Sequence, residues 1–253
     1  MTLTRKPYIS IVIPAYNEEE NISHCLRSIQ NQKTSIPFEV ILVDNNSTDH
    51  TVEIAQDFTK LIPLKIIKEE KQGIDHARTT GFNAATGTVI ARIDADSEAN
   101  SDWIEKIHAH FTHEDIVGLA GSFYSHEAPL KEYHAHFAHM YFKTLRILSG
   151  NTFMVGYNCA FLRSAWENIY QKAQVSHPHR HEDFELATYL NKEGKVIFAE
   201  DVIVSTSMRR AKYNARSFFI QYPSMTLSNI IHARTIQLNE NLKTFLTEVE
   251  ESE

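Results

Sequence analysis

The segment Tyr8–Asp49, YISIVIPAYNEEENISHCLRSIQNQKTSIPFEVILVDNNSTD, decides the fold. Two short apolar runs, YISIVI (Tyr8–Ile13) and FEVILVD (Phe38–Asp44), flank a stretch in which Ile22, Cys25, Leu26 and Ile29 recur at helical spacing. That order is the strand, helix, strand unit of a parallel sheet. Asn17 and Glu20 stand where a capping box would open the helix. The unit then repeats. LKIIK (Leu64–Lys68) and TVIARID (Thr88–Asp94) read as two further buried strands, preceded respectively by helices marked by Val52, Ala55 and Phe58 and by Ile74, Ala77, Gly81, Phe82 and Ala85. The cap-rich NNSTD leads into the first of these helices, and the small residues of the second suit close packing on a sheet. Four strands alternating with three helices make an α/β, doubly wound half.

Beyond Asp96 the rhythm changes. Trp103, Ile104, Ile107 and Phe111 mark a helix, Ile116–Phe123 a strand, and Leu130–Leu148 a long helix. GNTFMVGYNCAFLRSAW (Gly150–Trp166) reads as a Gly-bounded loop, HEDFELATYL (His181–Leu190) opens a helix, and Lys195–Ala199 and Val202–Ser205 are strand candidates. Asn214 to about Gln237 is helical and partly apolar. No internal repeat or low-complexity linker divides the chain, so one unit over residues 1–253 is expected.

Twenty-five Lys and Arg against thirty-two Asp and Glu give a formal charge of -7, which disfavours a nucleic-acid partner held by a positive field. The acidic end, residues 236–253, reads as a solvated, frayed terminus. Two cysteines exclude a disulfide framework, and the N-terminal apolar run is too short for a signal peptide or a span. A cytoplasmic protein is expected. Contact with the inner face of a membrane, through the apolar, Arg-bearing stretch Arg209–Ile231, is kept as an alternative.

In an open α/β sheet, ligands bind beyond the carboxyl ends of the strands. Here those ends carry PAYNEEE (Pro14–Glu20), DNNSTD (Asp44–Asp49) and DADS (Asp94–Ser97). Asp94 and Asp96, at i and i+2, can aim two hard oxygen anions at one side and suit Mg2+ or Mn2+ with room for diphosphate oxygens. An ordinary acidic loop is the competing reading. Asp44 can accept a hydrogen bond from a base or a ribose, or serve as a helix cap for the turn into Thr48–Phe58. Arg78 can reach a phosphate through its planar fork, or pair on the surface. Glu182 and Asp183 begin a helix, where acids belong in any case; one of them can serve as a general base toward an acceptor hydroxyl. Arg209 and Arg210 can meet a diphosphate or remain surface charge. His177, His179 and His181, with His134, His136 and His139, lack nearby cysteines, and exposed histidines are favoured over a zinc site.

PAYNEEE, DNNSTDHT, GIDHARTTGFNAATG, IDADS and HEDFEL stand together in an order that resembles the family 2 glycosyltransferases of the GT-A fold, over about residues 8–205. The resemblance implies an inverting transfer of one sugar from a nucleoside diphosphate sugar, UDP-linked by preference, to an acceptor hydroxyl of unidentified type. It implies that Pro14, Tyr16 and Glu18 line the nucleotide pocket, and that Asp44 binds the base. Arg78 would lie near the base or diphosphate, Asp94 near the ribose, and Asp96 on the Mn2+ or Mg2+. Asp183 is the implied general base, with Glu182 second. On this view residues of about 8–115 bind the nucleotide sugar and about 116–235 face the acceptor. The QxxRW-like motif and membrane helices of processive members are missing, and a third protein ligand to the metal is not evident. A nucleotidyltransferase that makes sugar nucleotides would carry a basic, Gly-rich loop after the first strand, where this chain is acidic. A non-catalytic nucleotide-sugar-binding subunit is the remaining alternative.

Overall fold

The computed structural model describes residues 7–113, 115–125, 131–173, 180–206 and 221–250. Its first half alternates β1 (Ile9–Ala15), α1 (Ile22–Gln30), β2 (Phe38–Asp44), α2 (Thr51–Asp57), β3 (Leu64–Lys68), α3 (Ile74–Ala84) and β4 (Val89–Ile93). Then come β5 (Ser97–Ala99), α4 (Trp103–His110), β6 (Ile116–Ser125), α5 (Lys131–Ser149) and β7 (Asn158–Leu162). The chain continues through α6 (Arg163–Ala173), α7 (Glu182–Glu193), β8 (Lys195–Thr206) and α8 (Tyr222–Glu250). One eight-stranded sheet runs in the order β3-β2-β1-β4-β7-β6-β8-β5. The β3-β2-β1-β4 part is parallel throughout, as the repeated unit requires. β7 joins it antiparallel to β4 and β6, β8 lies parallel to β6, and β5 closes the edge antiparallel to β8.

The strand period of two sorts the core into two layers. Ile9, Ile11 and Ile13 of β1 face one layer with Ile22, Leu26 and Ile29 of α1 and Trp103, Ile104 and Ile107 of α4. Val12 faces the other, with Phe82 of α3, Trp166 of α6 and Leu186 of α7. All seven residues of β1 are buried, the pattern of a parallel strand covered on both sides. Gly81 brings α3 onto the sheet so closely that a Cβ there would stand 2.3 Å from Val12 Cγ1, the close packing expected of that helix.

Four local expectations are corrected. No capping box opens α1: the helix begins at Ile22, and Asn17 turns its side-chain oxygen to the Thr48 N–H, 2.8 Å away. The stretch read as a loop contains β7 and the start of α6. The two strand candidates near the end are a single strand, β8, kept continuous past an irregularity in its pairing with β6. The acidic end is helical through Glu250 as part of α8 rather than frayed, because good helix formers carry the helix onward in water.

Asn158, fully buried at the start of β7, knots the second half of the sheet. Its amide nitrogen donates to the carbonyls of Ser122 and Val202, and its oxygen accepts from the Trp103 indole, at 2.8–2.9 Å. Asn158→Ala would leave an indole N–H and two strand carbonyls buried without these partners. A loss of about 2–4 kcal/mol in unfolding free energy is expected, measured by urea denaturation.

Candidate active site

Two loops form the floor at the ends of β1 and β2, and they hold each other. The Asn17 N–H donates to Ser47 Oγ, the Glu18 N–H to Thr51 Oγ1 and the Glu19 N–H to Asp49 Oδ2, while Glu19 Oε2 accepts from the His50 N–H. Asp49 also accepts from Thr51, and although burial pushes the other way, these hydrogen bonds lower its pKa. NEEE and NNSTD are therefore partners across a gap, not separate caps. Asn17 and Asn46 adopt positive φ, 52° and 64°, which non-glycine residues tolerate in tight loops at a cost.

Around this floor, Pro14 is buried inside β1, paired in register with Val43, whereas the Tyr16 ring is exposed. Glu18 accepts from the Asn21 side chain at 2.8 Å. Asp44 is buried and has a local partner that the sequence did not suggest: Oδ1 accepts from the Ser47 N–H at 3.0 Å. The capping alternative is thus realised in the turn itself, not at α2, which begins at Thr51. Asn45, equally buried, clamps the loop before α3 by donating to the Glu69 and Lys71 carbonyls and accepting from the Gly73 N–H.

β4 ends at Ile93, and a turn closed by the Ser97 N–H on the Asp94 carbonyl presents DADS at the sheet edge. One residue of β4 went unnoticed in the sequence. Arg92 is 4% exposed; its guanidinium donates to Asp94 Oδ1 at 3.2 Å and to Glu182 Oε1 at 2.9 Å. It lies against Gly156, where a Cβ would come within 2.4 Å of the guanidinium carbon. Burial alone would favour neutral Arg92, but Glu182 and Asp94 overcome it and raise its pKa. A cation in the middle of an apolar strand run, TVIARID, was the signal available.

Glu182 and Asp183, the first residues of α7, have opposite electrostatics. Burial opposes ionisation of Glu182, yet Arg92 and Arg78 hold its pKa down at about 2. Asp183 is raised to about 6, first by burial and then by the neighbouring Glu182 charge. Its Oδ2 accepts from the Gly156 N–H at 2.8 Å, and its Oδ1 from the Phe184 N–H. Tyr157 follows Gly156, and burial with the nearby charges of Asp183 and Asp94 raises its hydroxyl well above the usual range. Tyr157 was also missed; only its place beside a loop glycine hinted at it.

The surface alternative for Arg78 is overturned by its position. It is 1% exposed, and its fork donates to the carbonyls of Glu182 at 2.7 Å and Ala173 at 3.1 Å. Backbone carbonyls of α7 and α6 hold its two terminal nitrogens inside the protein, while its Nε is buried without a hydrogen-bond partner. Arg209, Arg210, His177 and His179 lie outside the described residues, as do the side chains of His134 and His136. His139 pairs with Glu200. His181 precedes α7 and is fixed to Asn229 of α8, which accepts from its N–H at 2.9 Å and donates to its carbonyl.

The fit of a divalent cation rests on Asp94 and Asp96. After burial itself, the charges of Asp96 and Asp94 push up the pKa of the buried Cys25 thiol, as those of Glu98 and Glu18 also do. Among the described residues no group of three His, Cys, Asp or Glu side chains is placed to hold a metal. These hard oxygens fit Mg2+ or Mn2+ only with further oxygens from a ligand.

Comparison with known proteins gives the site its context. The glycosyltransferase AglE of Haloferax volcanii is 41% identical over 103 residues, covering 40% of this chain and 34% of that protein. The dolichol-phosphate mannosyltransferase of Pyrococcus furiosus is 35% identical over 100 residues, 39% of this chain and 28% of that protein. The matched segments thus span about a third of these relatives. The mannosyltransferase PcManGT from Pyrobaculum calidifontis, solved in complex with GDP-Man and Mn2+, superposes with a TM-score of 0.64 at 23% identity, over 84% of this chain and 60% of that one. TarS 1–349 of S. aureus in complex with UDP-GlcNAc gives 0.62 at 20% identity, over 79% and 58%. These likenesses establish the GT-A fold. A family model described as Glycosyl transferase family 2 matches residues 10–169, more than half of the sequence, and the chain belongs to that family.

Proposed function

We propose that this chain transfers a single sugar from a nucleoside diphosphate sugar, UDP-linked by preference, to an acceptor hydroxyl, with inversion at the transferred carbon. One observation carries the reading: Arg92 bridges Asp94 of the DADS turn to Glu182 at the start of α7, next to the half-buried Asp183 with its raised pKa. Support for the donor class comes from the nucleotide sugars in the related structures, GDP-Man in one and UDP-GlcNAc in another. The residues match the roles of a direct displacement. Tyr16 offers an exposed ring, and Asp44 a second carboxylate oxygen, to the nucleoside. Asp96, with Asp94, would hold Mn2+ or Mg2+, which when bound neutralises charge on the departing diphosphate. Asp183 takes the proton from the acceptor oxygen as that oxygen attacks. Glu182 is the poorer base because its ion pairs keep it ionised and occupied. Arg78 and Arg92 are positioning residues: they fix the first turn of α7 against α3 and β4. We propose further that residues 1–253 act as one catalytic unit, the part of about 8–115 holding the donor and about 116–235 the acceptor.

The reading is tested by hydrolysis and transfer across a panel of nucleotide sugars with Mn2+ or Mg2+. At least one donor should be consumed by the wild type. Asp183→Asn should lower kcat by about 10²–10⁴-fold, the usual worth of a general base, with little change in donor affinity. Asp96→Ala should weaken the metal dependence and the rate together. Donor binding by calorimetry without turnover on any acceptor would instead mark a non-catalytic subunit.

The pH profile supplies a second test. A base works only when deprotonated, so a carboxylate raised to about 6 should make the rate fall as pH drops through that value. Glu182→Gln removes the neighbouring negative charge that helps raise Asp183, and the acid limb should move to lower pH. An unmoved limb in Glu182→Gln would remove Asp183 from the role.

A further inference from the structure

Leu227, Ile231, Leu238 and Leu242 of α8 are 57–67% exposed. At about 100° per residue they fall within roughly 60° of arc and, at 1.5 Å per residue, form a row about 22 Å long. Asn229 and Ala233 of the same helix are fully buried on the opposite side. The row is therefore not a loosely packed core face, because α8 already has a packed face and carries a second apolar one outward.

α5 extends this surface. Tyr141 hydrogen-bonds with Thr226, Arg234 donates to the Leu148 carbonyl at 2.9 Å, and Gln237 donates to Asn151 at 3.2 Å. Partner numbers rise together, so the two helices lie side by side in the same direction. Along α5, Met140, Ile147 and Leu148 are exposed beside the α8 row. Isolated exposed leucines need no explanation, but a patch spanning two helices does.

Charge identifies the occupant. Residues 139–149 and 222–242 contain Lys143, Arg146 and Arg234 and one acid, Glu240, which pairs with Lys192, in a chain whose formal charge is -7. All three cations are exposed. Apolar side chains pointing outward between cations, on a helix not apolar enough to cross a bilayer, are the pattern of a helix lying in a lipid interface.

We propose that the outer face of α5 and α8 docks this chain on an anionic lipid membrane, with the Asp183 site at the border of the docked face. Tyr141 links the two helices: it sits in the exposed part of α5 and hydrogen-bonds with Thr226 of α8. The α8 helix also grips the residue before α7 through Asn229. An acceptor hydroxyl carried on a lipid would thus reach Asp183 from the membrane side, an implication that rests on the proposed transfer reaction; the docking does not.

Flotation of the full chain with phosphatidylcholine vesicles, with and without phosphatidylglycerol, tests the docking. Wild type should float several-fold more with the anionic vesicles and lose that binding as salt rises. The double variant I231E/L238E should lose it while keeping the wild-type circular dichroism, thermal midpoint and rate of donor hydrolysis in solution. K143Q/R146Q should bind more weakly and with a flatter salt dependence. Equal flotation of wild type and I231E/L238E would overturn the proposal. So would failure of wild type to float, including the case in which ultracentrifugation shows a dimer that I231E/L238E dissociates and the face belongs to a second copy. Flotation by a chain that hydrolyses no nucleotide sugar would leave the docking standing and remove the transferase reading.

Discussion

The buried guanidinium of Arg92 is the constraint around which the site is organised. Taking a cation out of water costs several kcal/mol, and only closely placed carboxylates recover it. Asp94 supplies that compensation from two residues away and Glu182 from 90 residues away in the chain. Their geometry is therefore linked: β4 cannot keep its arginine buried unless α7 begins where it does. Removing one partner of such a set typically costs about 3–5 kcal/mol, more than many whole clusters of surface ion pairs contribute. The same arrangement separates the two acids of α7. Glu182 is held ionised by cations, and its charge, added to burial, leaves Asp183 readier to carry a proton. Adjacent carboxylates with diverging pKa values are how one site holds both a structural anion and a base.

The parallel half was legible because strands buried on both faces write themselves as continuous apolar runs, and the helices between them keep a clear 3.6-residue period. Polar strand ends then pointed to the ligand edge without any further information. β7 was not legible: NCAFL is short, follows a glycine-bounded stretch, and owes its strand character to antiparallel partners far away in sequence. The surface reading of Arg78 failed for a similar reason. An arginine one turn into a helix looks solvent-facing until carbonyls 95 and 104 residues away are known to receive it. Asn17 with Glu20, NNSTD and, as the alternative to a nucleoside role, Asp44 were read as caps for their helices, whereas hydrogen bonds across the loops, or within the turn, engage them. The hydrogen-bonding capacity of each residue was legible, and its partners were not.

That loop-to-loop bonding has a functional side. Alternating backbone donors and side-chain acceptors hold residues 17–21 against 45–51, and Asn45 holds the loop before α3. A floor ordered in this way does not have to be ordered when a ligand arrives, and affinity is not diminished by that entropy. The Tyr16 ring is the part left exposed above that floor.

The sheet order also imposes a sequence of events on a chain made from its N-terminus. By the time β4 has been synthesised, β1, β2 and β3 have their parallel neighbours, but the Arg92 carboxylate at position 182 and the β7 strand that covers the far edge of β4 do not yet exist. A nascent chain at that stage presents an unpaired strand edge and a charged residue that cannot yet be buried, a state exposed to misassociation. At roughly 5–20 residues per second, the ribosome needs several seconds more to deliver both partners. Completion of the ligand edge and relief of that vulnerable intermediate are consequently the same late event.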